Sequence, residues 1–333
     1  MLMPKLTRLG GKRRWIVLAV VGLLMVMALV AFVPPNTQTV TSQRHPVDSY
    51  DQAVQRIQAI QAEQTATFNP LCRLQFMTHG KKVARAIIFV HGYTFCPQMF
   101  QVLATKFYDL GYNVLIPPLP HHGLADRLNA AQAHLTAEEM AVYSDQGVDL
   151  AHGLGDHVTM VGISAGGLVT AWAAEHRSDL DLAVPISPGF GFAQVPAPLT
   201  VPAANLYLWL PNSFQWWDPD LKEAAGPPNA YPRYSTHALA QILRFSFAAK
   251  AHARQTAPLA HSILVITNDN DKSVDNAATN GVVNDWRNQG ARDLRTFTFD
   301  ASLKLGHDLI DPARPDQRID IVYPKLIDLI TNR

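Results

Sequence analysis

From residue 84 onward the chain alternates short runs of β-branched, apolar residues with segments of helical period, and few folds admit that alternation. Ala86–Val90 reads as a buried strand, Pro97–Leu110 as a helix and Tyr112–Ile116 as the next strand. Thr136–Leu154 is helical, with Thr136 and Glu139 at capping-box spacing. His157–Val161, Leu182–Ile186, Ile263–Thr267 and Leu294–Phe299 read as further strands, interleaved with helices over Ala165–His176, Asn276–Gln289 and Gln317–Leu329. Strand–helix alternation of this kind implies an α/β domain with a mostly parallel, doubly wound sheet. At 333 residues, 48% hydrophobic and 17% charged, the chain can bury one large core of that type.

Within that frame, Gly162-Ile163-Ser164-Ala165-Gly166-Gly167 falls where a strand ends and a helix begins. G-x-S-x-G is common by chance, but in this context it holds a serine on a sharp turn above the sheet. Gly162 and Gly166 are then needed because side chains there would collide with neighbouring backbone. A serine hydroxyl is a weak nucleophile until a base takes its proton. His307 stands in the loop after the last strand, within Leu305-Gly306-His307-Asp308, and is the candidate base. The orienting acid belongs after Ile263–Thr267, where Asp269, Asp271 and Asp275 compete. Asp269 follows closely on the strand, and Asp275 is placed to cap the next helix. Asp271, three residues before Val274, is preferred. Developing negative charge on a substrate oxygen needs backbone N–H donors. Ala165 and Tyr93 are the candidates, Tyr93 lying in His91-Gly92-Tyr93-Thr94 after the first core strand. His91 is read as a structural hydrogen bonder. This chemistry calls for no metal and no cofactor.

The segments FVHGYTFCPQMF, NVLIPPLPHHG, VGISAGGL and LKLGHDLI resemble the corresponding blocks of α/β-hydrolase-fold esterases, lipases and serine aminopeptidase-like hydrolases. The resemblance covers residues 65–333 and is weakest in the middle. It implies an α/β-hydrolase sheet and a Ser164–Asp271–His307 triad acting through an acyl-enzyme. It also implies that a histidine of His121-His122-Gly123 holds a loop in place. The fold hosts many chemistries and does not name a substrate. The interruption from about 188 to 254 carries Tyr207, Trp209, Phe214, Trp216, Trp217, Tyr231 and Tyr234 among many prolines. It lies where related hydrolases place a cap, with most of its tryptophans expected to be packing residues. A small-molecule or lipid ester of a medium or large apolar acyl group is the expected substrate. An amidase or peptidase with the same triad, or an anchored binding protein with a decayed site, are the alternatives.

Residues 1–14 carry Lys5, Arg8, Lys12, Arg13 and Arg14 ahead of an uncharged apolar run, Trp15–Val33. Nineteen residues of helix reach about 28 Å, close to the thickness of a bilayer's hydrocarbon core. The basic flank sets the cytoplasmic side, so a single-pass membrane protein with its catalytic domain outside the cytoplasm is expected. Secretion after signal cleavage is the alternative. Residues 34–64 read as a polar tether and a short helix, capped at Asp48 or Ser49 and packed on the domain through Tyr50, Ala53, Val54, Ile57 and Ile60. In an oxidising compartment Cys72 and Cys96 are expected to pair. A net charge of +1 without a basic cluster beyond the N-terminus argues against nucleic acid as a partner.

Overall fold

The computed structural model describes residues 11–332. In chain order the elements are α1 (Gly11–Ala31), α2 (Tyr50–Glu63), β1 (Gln75–Met77), β2 (Val83–Val90), α3 (Gln101–Asp109), β3 (Tyr112–Ile116), α4 (Ala137–Leu154), β4 (Gly155–Ile163), α5 (Ala165–His176) and β5 (Leu182–Ile186). They continue with α6 (Thr200–Trp209), β6 (Phe214–Trp216), β7 (Arg233–Ser235), α7 (Thr236–Ala253), β8 (Ser262–Asn268), α8 (Asn276–Asn288), β9 (Leu294–Phe299) and α9 (Ile319–Thr331). Seven strands form one sheet in the order β1-β3-β2-β4-β5-β8-β9, antiparallel only at β1.

The central strands are apolar on both faces because both faces are covered. On one side Ile88, Val90, Met160, Ala183 and Val265 pack under α4, α5 and α7. On the other, Ile87, Phe89, Val161, Val184 and Ile266 meet Phe100, Phe107, Val322, Tyr323 and Leu326 of the α3 and α9 layer. The expected capping box is present at α4: Thr136 accepts from the Glu139 N–H, and the Glu139 carboxylate accepts from the Thr136 N–H. The stretch expected as one helix over Pro97–Leu110 opens instead with a 3-10 turn, Pro97–Phe100, before α3 begins. A 3-10 turn is a frequent lead-in to an α-helix, and Pro97 supplies no N–H for it.

Ser49 caps α2, whose Ala53 and Ile57 are buried against α4. The tether ahead of it is more closely held than its polarity suggests. Val40 and Val47 are buried, and the N–H groups of Gln43 and His45 donate to Asp145 and Asp149 at 2.6 and 2.9 Å. Those carboxylates, with Asp179, also surround the buried Arg177 guanidinium, whose Nη2 lies 2.6 Å from Asp149 and 2.8 Å from Asp179.

The N-terminal helix departs from the expected 15–33 span. It runs Gly11–Ala31, so Lys12, Arg13 and Arg14 form its first turn and its uncharged part ends at Ala31. Among the described residues no helix is long and apolar enough to cross a membrane. Seventeen uncharged helical positions reach about 26 Å, short of the roughly 30 Å of a hydrocarbon core. Two further N–H groups, of Phe32 and Val33, bond to Leu29 and Val30 in a tightened last turn before Pro34 and Pro35. The α6 side chain Asn205 then donates to the carbonyls of both Ala31 and Val33 at 2.8 Å. Two carbonyls at the end of α1 are therefore satisfied by a side chain of α6.

Residues 188–254 divide into two parts. The first holds α6 and the antiparallel β6–β7 hairpin, which bonds the loop after β2 through Ser235 to Tyr93 and Trp217 to Thr94. The second, α7, packs against α4 and α5 as part of the helical layer. The tryptophans are more exposed than expected. Trp209 and Trp217 are each 50% exposed, because they stand on the outward side of α6 and of the hairpin, whereas Trp216 is half-buried. Trp217 still donates to Thr94 Oγ1 at 3.0 Å and stacks at an angle on Tyr234.

Candidate active site

The parallel strands end along one edge, and the chemistry-bearing residues gather there, as expected for an open α/β sheet. β4 ends at Ile163 and α5 begins at Ala165, leaving Ser164 alone at the turn with φ 59° and ψ −118°. This is a conformation that L-residues avoid. It is over-determined by its surroundings: the Ser164 N–H donates to Ile186 at 3.0 Å, and the Ser164 carbonyl accepts from Leu168 and Gly189, both at 2.9 Å. The flanking glycines have a direct reason. A Cβ on Gly162 would lie 2.1 Å from the Gly166 carbonyl oxygen, and one on Gly166 would lie 2.1 Å from that of Val90.

β8 delivers the acid loop. Asp271 Oδ1 accepts from the N–H groups of Ser273 and Val274 at 2.9 and 3.1 Å, and Oδ2 lies 2.7 Å from His307 Nδ1. Val274 is buried, and the chain leaving β5 pairs with this loop through Phe192 and Val274. Burial alone raises the Asp271 pKa. The bond and charge of His307, with the two N–H donors, outweigh it and hold the carboxylate below its ordinary range. For His307 burial favours the neutral ring, but the bond and charge of Asp271 outweigh it, so its pKa lies above the ordinary 6.5. Asp275 caps α8 through the Ala277 N–H at 2.8 Å, and Asp269 is exposed. Of the three aspartates, Asp271 is the one brought to the imidazole.

The His307 loop depends on a residue that sequence reading missed. Asn268, buried at the end of β8, donates to the carbonyls of Leu305 and Gly306 at 2.9 and 3.0 Å. It spans from the acid strand to the histidine loop, and the only hint in the sequence was an asparagine ending an apolar strand.

The loop carrying Tyr93 is held from two sides. His91 accepts from the Leu119 N–H at 2.9 Å and His122 from the Thr94 N–H at 3.2 Å. Burial drives both rings to the neutral form, with pKa values of about 3 and about 4. Both are hydrogen-bonding struts. Thr94 has φ 66°, and its carbonyl accepts from the Tyr231 N–H at 2.7 Å. The Tyr93 phenol bonds Gln132 and accepts from the Ser235 N–H at 2.9 Å, tying this loop to β7 of the cap. The side chain of Tyr93 is thus structural, and only its backbone N–H is left for a substrate oxygen. A disulfide joins Cys72 to Cys96, linking the loop after residue 92 to the segment before β1.

A family model for the alpha/beta hydrolase family matches residues 87–321. The chain belongs to the alpha/beta hydrolase family. A thermostable monoacylglycerol lipase from Bacillus sp. (strain H-257) is 27% identical over 171 residues, half of this chain and 63% of that protein's length. Among solved structures, a metagenome-derived lipolytic enzyme shares the fold with a TM-score of 0.59 at 19% identity, over 80% of this chain and all of the other. The Paleococcus ferrophilus monoacylglycerol lipase does so with a TM-score of 0.57 at 17% identity, over 78% of this chain and 98% of its own. A soluble variant of the Saccharomyces cerevisiae monoglyceride lipase gives 0.58 at 13% identity, over 77% and 90% of the two chains.

Proposed function

We propose that this hydrolase cleaves carboxylic esters of apolar acyl groups, with Ser164 as nucleophile, His307 as general base and Asp271 as the group that orients it. The observation that carries the reading is the 2.7 Å bond from Asp271 to His307 Nδ1, on the same sheet edge as the strained Ser164 turn. A carboxylate on Nδ1 fixes the tautomer that leaves Nε2 free to accept a proton. Ser164 Oγ attacks the ester carbonyl carbon as its proton passes to His307. The carbonyl oxygen takes up negative charge against the N–H groups of Tyr93 and Ala165, at the N-terminal end of α5. Collapse expels the alcohol, which takes the proton from His307 and leaves an acyl-Ser164. Water, deprotonated by His307, attacks the acyl carbon and regenerates the enzyme.

The similarity to monoacylglycerol lipases favours glycerol monoesters as a substrate class. We read α1 as a membrane anchor, with the domain beyond residue 34 outside the cytoplasm. Trp15, Ile16 and Leu29 are 75%, 62% and 73% exposed on a helix with a basic first turn, a costly arrangement in water and a favourable one in lipid. The tightened turn through Val33 extends the uncharged run with its N–H groups satisfied. The disulfide supports an oxidising compartment. α6, which holds the end of α1 through Asn205, also exposes Leu206 and Trp209, so the cap sits beside the bilayer.

The test is a panel of p-nitrophenyl esters of increasing chain length, glycerol monoesters and aminoacyl amides, each with wild type and Ser164→Ala. Ester turnover that exceeds amide turnover and drops by several orders of magnitude in Ser164→Ala is expected. Faster amide hydrolysis, or a Ser164→Ala rate within tenfold of wild type, rejects the assignment.

A further inference from the structure

Far from the Ser164 edge, α5 and α7 end side by side. Glu175 and His176 close α5, and His252 lies in the last turn of α7. One ligating atom from each lies within 4.8 Å of the others. Glu175 is fully buried, yet one of its oxygens has no hydrogen-bond partner. Oε1 accepts from Trp286 Nε1 at 3.0 Å, while Oε2 is unpartnered among the described residues. Oε2 faces His252 Nδ1 at 3.8 Å, and that nitrogen is also buried and unpartnered. The separation is too long for a hydrogen bond. It is close to the roughly 3.3–3.5 Å between two ligands of one tetrahedral zinc, given metal–ligand distances of about 2.0–2.2 Å.

The tautomer of the third ligand is already set. His176 Nδ1 lies 3.0 Å from the Trp172 carbonyl, which can only accept, so Nδ1 carries the hydrogen and Nε2 the lone pair. An imidazole fixed by a backbone carbonyl on its far nitrogen is the usual setting of a metal-bound histidine. Its ring stacks on Trp172 at 3.8 Å and stands 4.2 Å from the His252 ring. Both histidines are half-buried, which leaves a way in from solvent. The C-terminal ends of two helices converge on the spot, and their dipoles favour positive charge there. Buried polar atoms without partners are costly and uncommon in folded proteins. A cation would answer Glu175 Oε2 and His252 Nδ1 together.

We propose that Glu175, His176 and His252 bind a divalent transition cation of the zinc class, with a solvent molecule completing a four-coordinate site. Two imidazoles and one carboxylate suit zinc, cobalt or nickel, whereas calcium and magnesium take oxygen ligands. α5 is twelve residues long, so the ion would sit about 18 Å along the helix from Ser164. Its role is structural. It pins the helix that presents the nucleophile to the helix that returns the chain from the cap, with Trp286 of α8 held behind Glu175. The sequence hid the site because Glu175 and His176 lie on one helix and His252 on another, with no short-range ligand spacing.

Full-length protein in detergent, stripped with EDTA, is titrated with Zn2+ by calorimetry and with Co2+ by visible absorption, and its thermal midpoint is followed in both forms. One equivalent of Zn2+, a tetrahedral Co2+ spectrum and a midpoint raised by several degrees are expected. Glu175→Gln keeps the acceptor for Trp286 and should weaken Zn2+ affinity at least tenfold. His252→Ala, at a half-buried position, should do the same. Circular dichroism checks that both variants are folded. Absence of saturable binding, or binding that neither variant weakens, overturns the proposal.

Discussion

Ser164 is held at φ 59°, a conformation that costs a non-glycine residue on the order of 1–3 kcal/mol, and the surrounding backbone bonds fix it there. Its neighbours are chosen by space: Gly162 and Gly166 have no room for a methyl group, so the motif was legible as a turn before any function was assigned. The aspartates illustrate what could and could not be read. Asp275 announced itself as a helix cap, and Val274 as a core residue, which turned attention to Asp271. Asn268 gave no such signal, because its two bonds go to carbonyls of residues 305 and 306, and contacts that distant leave no local pattern. The pair Asp271–His307 has a pH signature. Asp271 raises the His307 pKa above 6.5, and in the proposed role as general base the ring works only when neutral, so kcat/KM should rise with pH through a midpoint above that value. In Asp271→Asn the raising charge is gone. The midpoint should move down while the plateau falls by orders of magnitude, and Asp275→Asn should keep the plateau within tenfold. A pH–rate profile of the three proteins checks this, and an unshifted midpoint in Asp271→Asn speaks against the pairing.

At the scale of elements, the strands and helices were legible wherever a segment buries both faces or a complete stripe. β5 and α5 match their sequence-read bounds, since each is a buried run set off by serine or charged residues, and β9 matches as a half-buried strand whose residues alternate. Less legible were the segments whose partners lie far along the chain. Residues 36–47 look like a polar tether, yet they are held by Asp145 and Asp149, the carboxylates that also receive Arg177. This buried cluster is where a single change should matter most to the fold. Arg177→Met leaves the buried Asp145 and Asp149 and the half-buried Asp179 without their counter-charge, which should cost about 3–5 kcal/mol. Asp179 sharpens the expectation. Burial raises its pKa, but its bonds to Arg177 and His152 outweigh that and depress it far below the ordinary 3.8. A depressed carboxylate contributes stability above its unfolded pKa and loses it as pH falls through the folded value. Denaturant melts of wild type and Arg177→Met should therefore differ by this amount at pH 7 and converge toward strong acid. Equal stability at neutral pH would show that the cluster is not holding the tether.

For the whole molecule, one α/β-hydrolase domain carries its cap on one end of the sheet and a basic, apolar helix docked beside that cap. The alternation of strands and helices made the first part readable, and the Trp15–Val33 run announced the second. The contact between them was not readable, because Asn205 meets the carbonyls of Ala31 and Val33 across more than half of the chain. If α1 anchors the protein with its domain outside, the full chain should sediment with membranes and residues 34–333 alone should not. Protease added to intact spheroplasts should then degrade the domain, whereas survival until permeabilisation would reverse the orientation. The claim on which the rest depends is that Ser164 is the nucleophile of this assembled edge. Its most direct test is to label the wild-type protein with a fluorophosphonate, digest it, and find the modified residue by mass spectrometry. A single adduct on the peptide containing Ser164, lost in Ser164→Ala and slowed by orders of magnitude in Asp271→Asn, is the predicted result; an adduct on another serine, or none on folded wild-type protein, would contradict it.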